Sequence, residues 1–218
     1  MSRDKKLKTL VVRYTPRNER SNTGKILDAF VKEAGSSEIE ELDLAKEVPD
    51  LFLEESLGAY IQRNYLGQEL SAEQKASLSK MDRMTLQVKS ADIVVVAYPM
   101  NNFSMPAPVK AWFDSVMLKG QTWDAKDGRY YGLMDGRKAL AIVTSGGLYS
   151  GEMSAWEHAL SLARLEFQFM GYSEIQGVLG GGMNMGEEIK SGVLRRSIED
   201  VRKIARKWYG EMAESQTA

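Results

Sequence analysis

The sequence contains no cysteine. Disulfides, iron–sulfur clusters, cysteine zinc sites and thiol catalysis are therefore excluded. It contains one histidine, His158, too few for a histidine metal site and a poor basis for a Ser-His triad. No run of about 18 apolar residues occurs, and the opening Met-Ser-Arg-Asp-Lys-Lys has no apolar stretch of signal-peptide length. A soluble cytoplasmic protein without a membrane partner is expected. Charge of one sign is missing too: 29 Lys+Arg against 30 Asp+Glu leave a net charge of −1, which gives no electrostatic footprint for nucleic acid. What is present is 218 residues, 43% of them hydrophobic, enough for a core without staples. We read residues 1–218 as one domain. With so few catalytic side chains, an enzyme on this chain would borrow its chemistry from a cofactor.

Short apolar runs alternate with longer helical patterns. Leu7 to Val12, Glu38 to Leu44, Ala91 to Tyr98, Ala139 to Thr144 and Tyr172 to Leu179 read as strands. Ala91 to Tyr98 is apolar on both faces, as a central parallel strand would be. Helical spacing begins at Thr23 with Ile26, Leu27, Phe30 and Val31, and Gly35-Ser36-Ser37 ends it. Further helices are expected from Pro106 to Leu118, from about Glu152 to Met170 and from about Glu187 to Trp208. Between strands two and three there is more helix than one crossover needs. An inserted helix is expected at about 50–66, and Ser71 to Ser90 is the crossover itself, opened by a Ser71–Gln74 capping box. Alternating strands and helices predict an α/β fold, a five-stranded parallel sheet with helices on both faces. The polar tail, about 210–218, is expected to fray.

In such sheets ligands sit beyond the carboxyl ends of the strands. The first strand leads into a loop with hydroxyls at Thr15, Ser21 and Thr23, where a helix begins. Hydroxyls with free helix N–H groups suit a phosphate, though the same residues suit an ordinary N-cap. Arg13, Arg17 and Arg20 could steer an anion or simply be solvated. Neither Gly-x-Gly-x-x-Gly nor a P-loop is present. The third strand ends in Tyr98-Pro99-Met100-Asn101-Asn102-Phe103-Ser104-Met105-Pro106, either a shelf for the edge of a planar ring or a turn with core-packing Met and Phe. The fourth ends in Thr144-Ser145-Gly146-Gly147-Leu148-Tyr149, whose glycines would let backbone approach a ligand. Met183 and Met185 follow a glycine-rich loop that could border a groove. Each signal is weak singly; three at the correct strand ends reinforce one another.

With those residues in view, the chain resembles the FMN-dependent NAD(P)H azoreductases and NAD(P)H:quinone reductases. The match lies in Pro99 to Asp114, continuing to Lys119-Gly120-Gln121-Thr122-Trp123, with support from Thr15, Ser21, Thr23 and from Thr144 to Gly147. The resemblance implies a flavodoxin-like fold of strand order 2-1-3-4-5 and a homodimer with the flavin at its interface. It implies an FMN phosphate held by Thr15, Ser21, Asn22 and Thr23. The isoalloxazine would lie along Pro99, Met100, Asn101, Asn102 and Phe103, closed by Thr144, Ser145, Gly146 and Gly147. It also implies NADH or NADPH as donor and a ping-pong reduction of quinones or azo compounds, with no catalytic side chain and no metal. Tyr149 and Trp123 are the candidates for the acceptor pocket. Asn101 stands where the family usually has Tyr or Trp, which removes an aromatic beside the flavin. His158 is read as a surface or interface residue, or else as a pocket hydrogen-bond donor. An FMN reductase that releases reduced flavin, and a flavodoxin-like carrier without turnover, are the competing readings.

Overall fold

The computed structural model describes residues 6–35 and 37–215; the expectations for the first five residues, for Ser36 and for 216–218 lie outside it. The elements run β1 (Lys8–Arg13), α1 (Asn22–Glu33), β2 (Glu38–Asp43), α2 (Glu54–Asn64), α3 (Ala72–Ser90), β3 (Ile93–Pro99), α4 (Ala107–Val116), β4 (Trp123–Lys126), β5 (Arg129–Gly132), β6 (Lys138–Thr144), α5 (Ala159–Met170), β7 (Glu174–Gly180) and α6 (Glu187–Ser215). Five strands form one parallel sheet in the order β2-β1-β3-β6-β7. With β4 and β5 set aside, that is 2-1-3-4-5.

The side-chain period of two splits each strand between two cores. Leu10, Val12, Val94 and Val96 face a layer built on Trp112, Phe113 and Phe167. Val11, Val95, Leu140 and Ile142 face the other, built on Ile26, Phe30 and Trp208. The apolar run predicted to be central is central: β3 lies between β1 and β6, and Ile93 to Tyr98 are all buried. At α3 the capping box forms as expected, with Ser71 Oγ accepting from the Gln74 N–H at 3.2 Å and Gln74 Oε1 accepting from the Ser71 N–H at 2.9 Å.

Two expectations change, and one element is new: an antiparallel hairpin, β4–β5. It turns on Asp127 (φ +52°) and Gly128 (φ +73°), a two-residue connection of the Asp-Gly kind that suits strand twist. The helix expected from Glu152 is broken. A 3₁₀ segment covers Gly151–Trp156, and α5 starts only at Ala159. Glu157 causes the break: its carboxylate accepts the N–H groups of Leu160 (2.6 Å) and Ser161 (3.1 Å), bonds a helix interior would not leave free. Finally, α6 continues past Trp208 to Ser215, where Glu211, Met212, Ala213 and Glu214 are strong helix formers. Among the described residues no helix is long and apolar enough to cross a membrane.

Candidate FMN-binding cleft

The loops at the carboxyl ends of β1, β3 and β6 meet around a cleft of about 610 Å³. Its first wall is the start of α1. Ser21 is the N-cap, extended at φ −75°, and its Oγ accepts the Gly24 N–H at 3.0 Å. The N–H groups of Asn22 and Thr23 have no carbonyl four residues back to receive them, so they face outward at the positive end of the helix dipole. Thr23 is buried, and its Oγ1 lies 2.6 Å from Thr144 Oγ1. That contact ties the first wall to the third across 121 residues of sequence.

The second wall is Pro99 and Met100. The Met100 N–H donates to the Thr144 carbonyl at 2.7 Å, fixing this wall to β6. Beyond it the chain reverses at once. Asn101 and Ser104 exchange backbone hydrogen bonds of 2.9 and 3.0 Å, and the residues between them, Asn102 (φ +46°) and Phe103 (φ +72°), are both left-handed. Asparagine tolerates that conformation; phenylalanine is strained in it, at about 1–2 kcal/mol, and such strain gathers at functional sites.

The third wall is Thr144, Ser145 and Gly146. It is clamped by the loop after β7, whose Gly182, Met183 and Asn184 N–H groups donate to the carbonyls of Gly147, Ser145 and Gly146 at 2.9–3.0 Å. Ser145 Oγ donates to the Gly147 carbonyl at 2.9 Å. The Asn184 amide stands in the space a side chain on Gly146 would fill: a Cβ there would come within 2.5 Å of Asn184 Nδ2.

Of the residues the sequence nominated, Ser21, Asn22, Thr23, Pro99, Met100, Thr144, Ser145 and Gly146 line this cleft. Thr15 does not. It is buried, accepts from Arg13 Nε at 3.1 Å, and borders a neighbouring hollow of about 240 Å³. Asn101, Asn102 and Phe103 project from the rim. Gly147 lies just behind the third wall, and Tyr149 packs edge-on against Phe103, ring centroids 6.2 Å apart. Trp123 is in a different place altogether. It sits on the hairpin at the far end of the sheet, packed on Phe169 near the end of α5, with Nε1 donating to the Met117 carbonyl at 2.9 Å. The reason is α4, which carries the chain from the cleft rim to the opposite end before Trp123 is reached.

Lys25, Asn184 and Lys190 line the cleft without having been singled out. Lys25 follows α1's start by less than one turn, a signal that spacing could have given. Asn184 and Lys190 come from beyond β7 and could be found only in three dimensions. Among the described residues Arg17, Arg20 and Lys25 make no ion pair, whereas Lys190 pairs with Glu187 at 2.9 Å. Free helix N–H groups, unpaired cations and a deep polar cleft fit a mononucleotide phosphate with a flat ring beyond it. No group of three or more metal-ligating side chains occurs among the described residues.

Comparison with known proteins agrees with that chemistry. Residues 7–205 match the flavodoxin-like fold family. The chain is 30% identical over 203 residues to an FMN-dependent NADH:quinone oxidoreductase of Azotobacter vinelandii, covering 91% of this chain and 99% of that one. A namesake from Pseudomonas savastanoi is 31% identical over 178 residues, covering 80% and 85%. Among solved structures, an FMN-dependent NADH-azoreductase from Bacillus anthracis in complex with FMN superposes with a TM-score of 0.84 at 25% identity, covering 93% of this chain and 99% of that one. The chain belongs to the flavodoxin-like fold family, in the group of FMN-dependent NADH:quinone oxidoreductases and azoreductases.

Proposed function

We propose that this chain is an FMN-dependent NADH oxidoreductase that delivers two electrons to quinones and azo compounds and works as a homodimer. The observation that carries this is the three-walled cleft at the carboxyl ends of β1, β3 and β6, joined by the buried Thr23–Thr144 contact. The names of the relatives give the donor and the acceptor classes. In this reading the N–H groups of Asn22 and Thr23 donate to the FMN phosphate, and Arg17, Arg20 and Lys25 balance its charge. Thr15 supports that loop through Arg13 instead of meeting the phosphate. Pro99 and Met100 form the floor under the ring, and the backbone of Asn101, Asn102, Gly146 and Gly147 meets its polar edge. Bound FMN would supply the redox chemistry, accepting a hydride equivalent from the nicotinamide nucleotide and passing two electrons on. The cleft opens to solvent, which supplies and removes protons, so no dedicated acid or base is required. A nicotinamide donor fits work in the cytoplasm. Leu51, Leu53, Leu57, Ile61 and Leu66 around α2 are all exposed, a patch that suits the contact with a second copy.

The test is an anaerobic visible spectrum of the FMN-reconstituted protein, before and after NADH or NADPH. Bleaching to the fully reduced form, with recovery on adding a quinone, is expected. Bound FMN that neither nucleotide bleaches would overturn the enzyme reading in favour of a carrier.

A further inference from the structure

Beside the cleft lies a second hollow of about 390 Å³, lined by Phe103, Trp156 and His158. It continues the proposed FMN site, because Phe103 belongs to the loop whose Pro99 and Met100 line the cleft. Its construction is specific. The Phe103 and Trp156 rings meet edge to face with centroids 5.6 Å apart, and Tyr149 flanks Phe103 on another side. The Phe103 carbonyl accepts the His158 N–H at 2.8 Å, which locks the tight turn to the start of α5. Both rings nevertheless remain about half exposed, Phe103 at 45% and Trp156 at 53%. The left-handed backbone of Phe103 is what turns its ring outward instead of into the core. No carboxylate and no Lys or Arg lines the hollow.

We propose that this hollow is the acceptor subsite, that Trp156 is its stacking residue and that it selects uncharged fused-ring quinones over sulfonated acceptors. Trp156 supplies an aromatic surface that Asn101 does not provide from the loop itself. His158 contributes a polar ring at the wall and donates toward an acceptor oxygen. Flat apolar walls reward ring area by stacking. Without a cation they offer no charge partner to a sulfonate, which must shed water to enter. The proposal rests on the oxidoreductase reading of the cleft.

Titration calorimetry of the oxidised, FMN-loaded full chain tests it directly, since oxidised flavin does not consume a quinone. 1,4-Naphthoquinone is expected to bind at least tenfold more tightly than an anthraquinone sulfonate. Trp156→Ala should weaken naphthoquinone binding by about tenfold, the worth of one aromatic stack. Trp156→Phe should restore most of it. The visible spectrum of bound FMN, unchanged between variants, verifies that each is folded. Equal naphthoquinone affinity in the parent and Trp156→Ala would overturn the subsite, as would tighter binding of the sulfonate. Neither result touches the cleft reading, which fails separately if the parent holds no FMN or NADH leaves it oxidised.

Discussion

The two ends of the sheet use glycine for opposite purposes. At the amino end, beneath β6 and β7, Gly132 of the hairpin lies directly against Gly171, which ends α5 at φ +86°. A Cβ on Gly132 would stand 2.2 Å from the Gly171 nitrogen and 2.3 Å from two backbone carbons. Two strips of main chain touch there because neither carries a side chain, and no space is left. At the carboxyl end, the space beside Gly146 is filled only by the tip of the Asn184 side chain. One end is packed backbone to backbone, with Trp123, Tyr130 and Phe169 forming a cluster beside it. The other carries left-handed Asn102 and Phe103, exposed rings and unpaired cations. The packed end holds the fold, while the strained, open end is where a ligand can be received.

The largest expected effect would break that contrast from the packed side. Gly132→Ala must move backbone, and should cost about 3 kcal/mol or more, the upper range for overpacking. Urea unfolding checks it. The matching Gly146→Ala change should cost under about 1 kcal/mol, because a surface amide can swing aside. It should instead weaken FMN binding by displacing the Asn184 amide, which lines the cleft. If both glycines prove equally costly to stability, the two ends do not differ as described.

Next in size is a test of the helix that joins them. Glu166 on α5 is buried; Lys110 Nζ lies 3.6 Å from Oε1, and Oε2 has no partner. Burial pushes its carboxyl up to about 7, against the opposing pull of Lys110. The folded pKa is raised, so between pH 4.5 and about 7 the folded chain keeps a proton that the unfolded chain has lost. Stability from this group is therefore full below that window, falls as pH rises through it, and levels above, by about 3 kcal/mol in all. Glu166→Gln should flatten that fall. Thermal melts across the window should show a steeper decline in the parent than in the variant; parallel declines would contradict the assignment.

The smallest effect sharpens the open end. Thr23→Val leaves the Thr144 hydroxyl buried without its partner and should cost about 1–2 kcal/mol. Adding Thr144→Val removes the orphan, and the double variant should regain part of that loss. Chemical denaturation of the two single variants and the double one measures the coupling. Additive losses would mean that the 2.6 Å contact contributes nothing of its own.

Much of this was legible in the chain. The apolar runs of β3 and β6, the α3 capping box and the Ser21 helix start are local patterns, and each formed where it was read. The hairpin was missed because Arg129, Tyr130 and Tyr131 are all exposed, so no buried alternation marks it; Asp127-Gly128 was the available signal. A turn at Asn101–Ser104 was one of the two readings of that strand end; what differs is that Phe103, left-handed within it, is exposed and does not pack in the core. The break before α5 depends on one carboxylate choosing two N–H groups over solvent. Trp123 was placed by likeness of motif, and α4 carries it away from the cleft.

What the sequence determined by itself is the set of elements and their two-sided burial, since periodicity and capping act over a few residues. The strand ends that could hold a phosphate and a ring followed from hydroxyls, helix starts and paired glycines in the same local way. Only the tertiary structure decided that Thr23 meets Thr144, that Asn184 fills the space at Gly146 and that Trp156 stands against Phe103. Those meetings depend on β1 lying beside β3 and β3 beside β6, which no local pattern encodes. The sheet order is set by how two apolar faces are covered at once, a property of the whole packed chain.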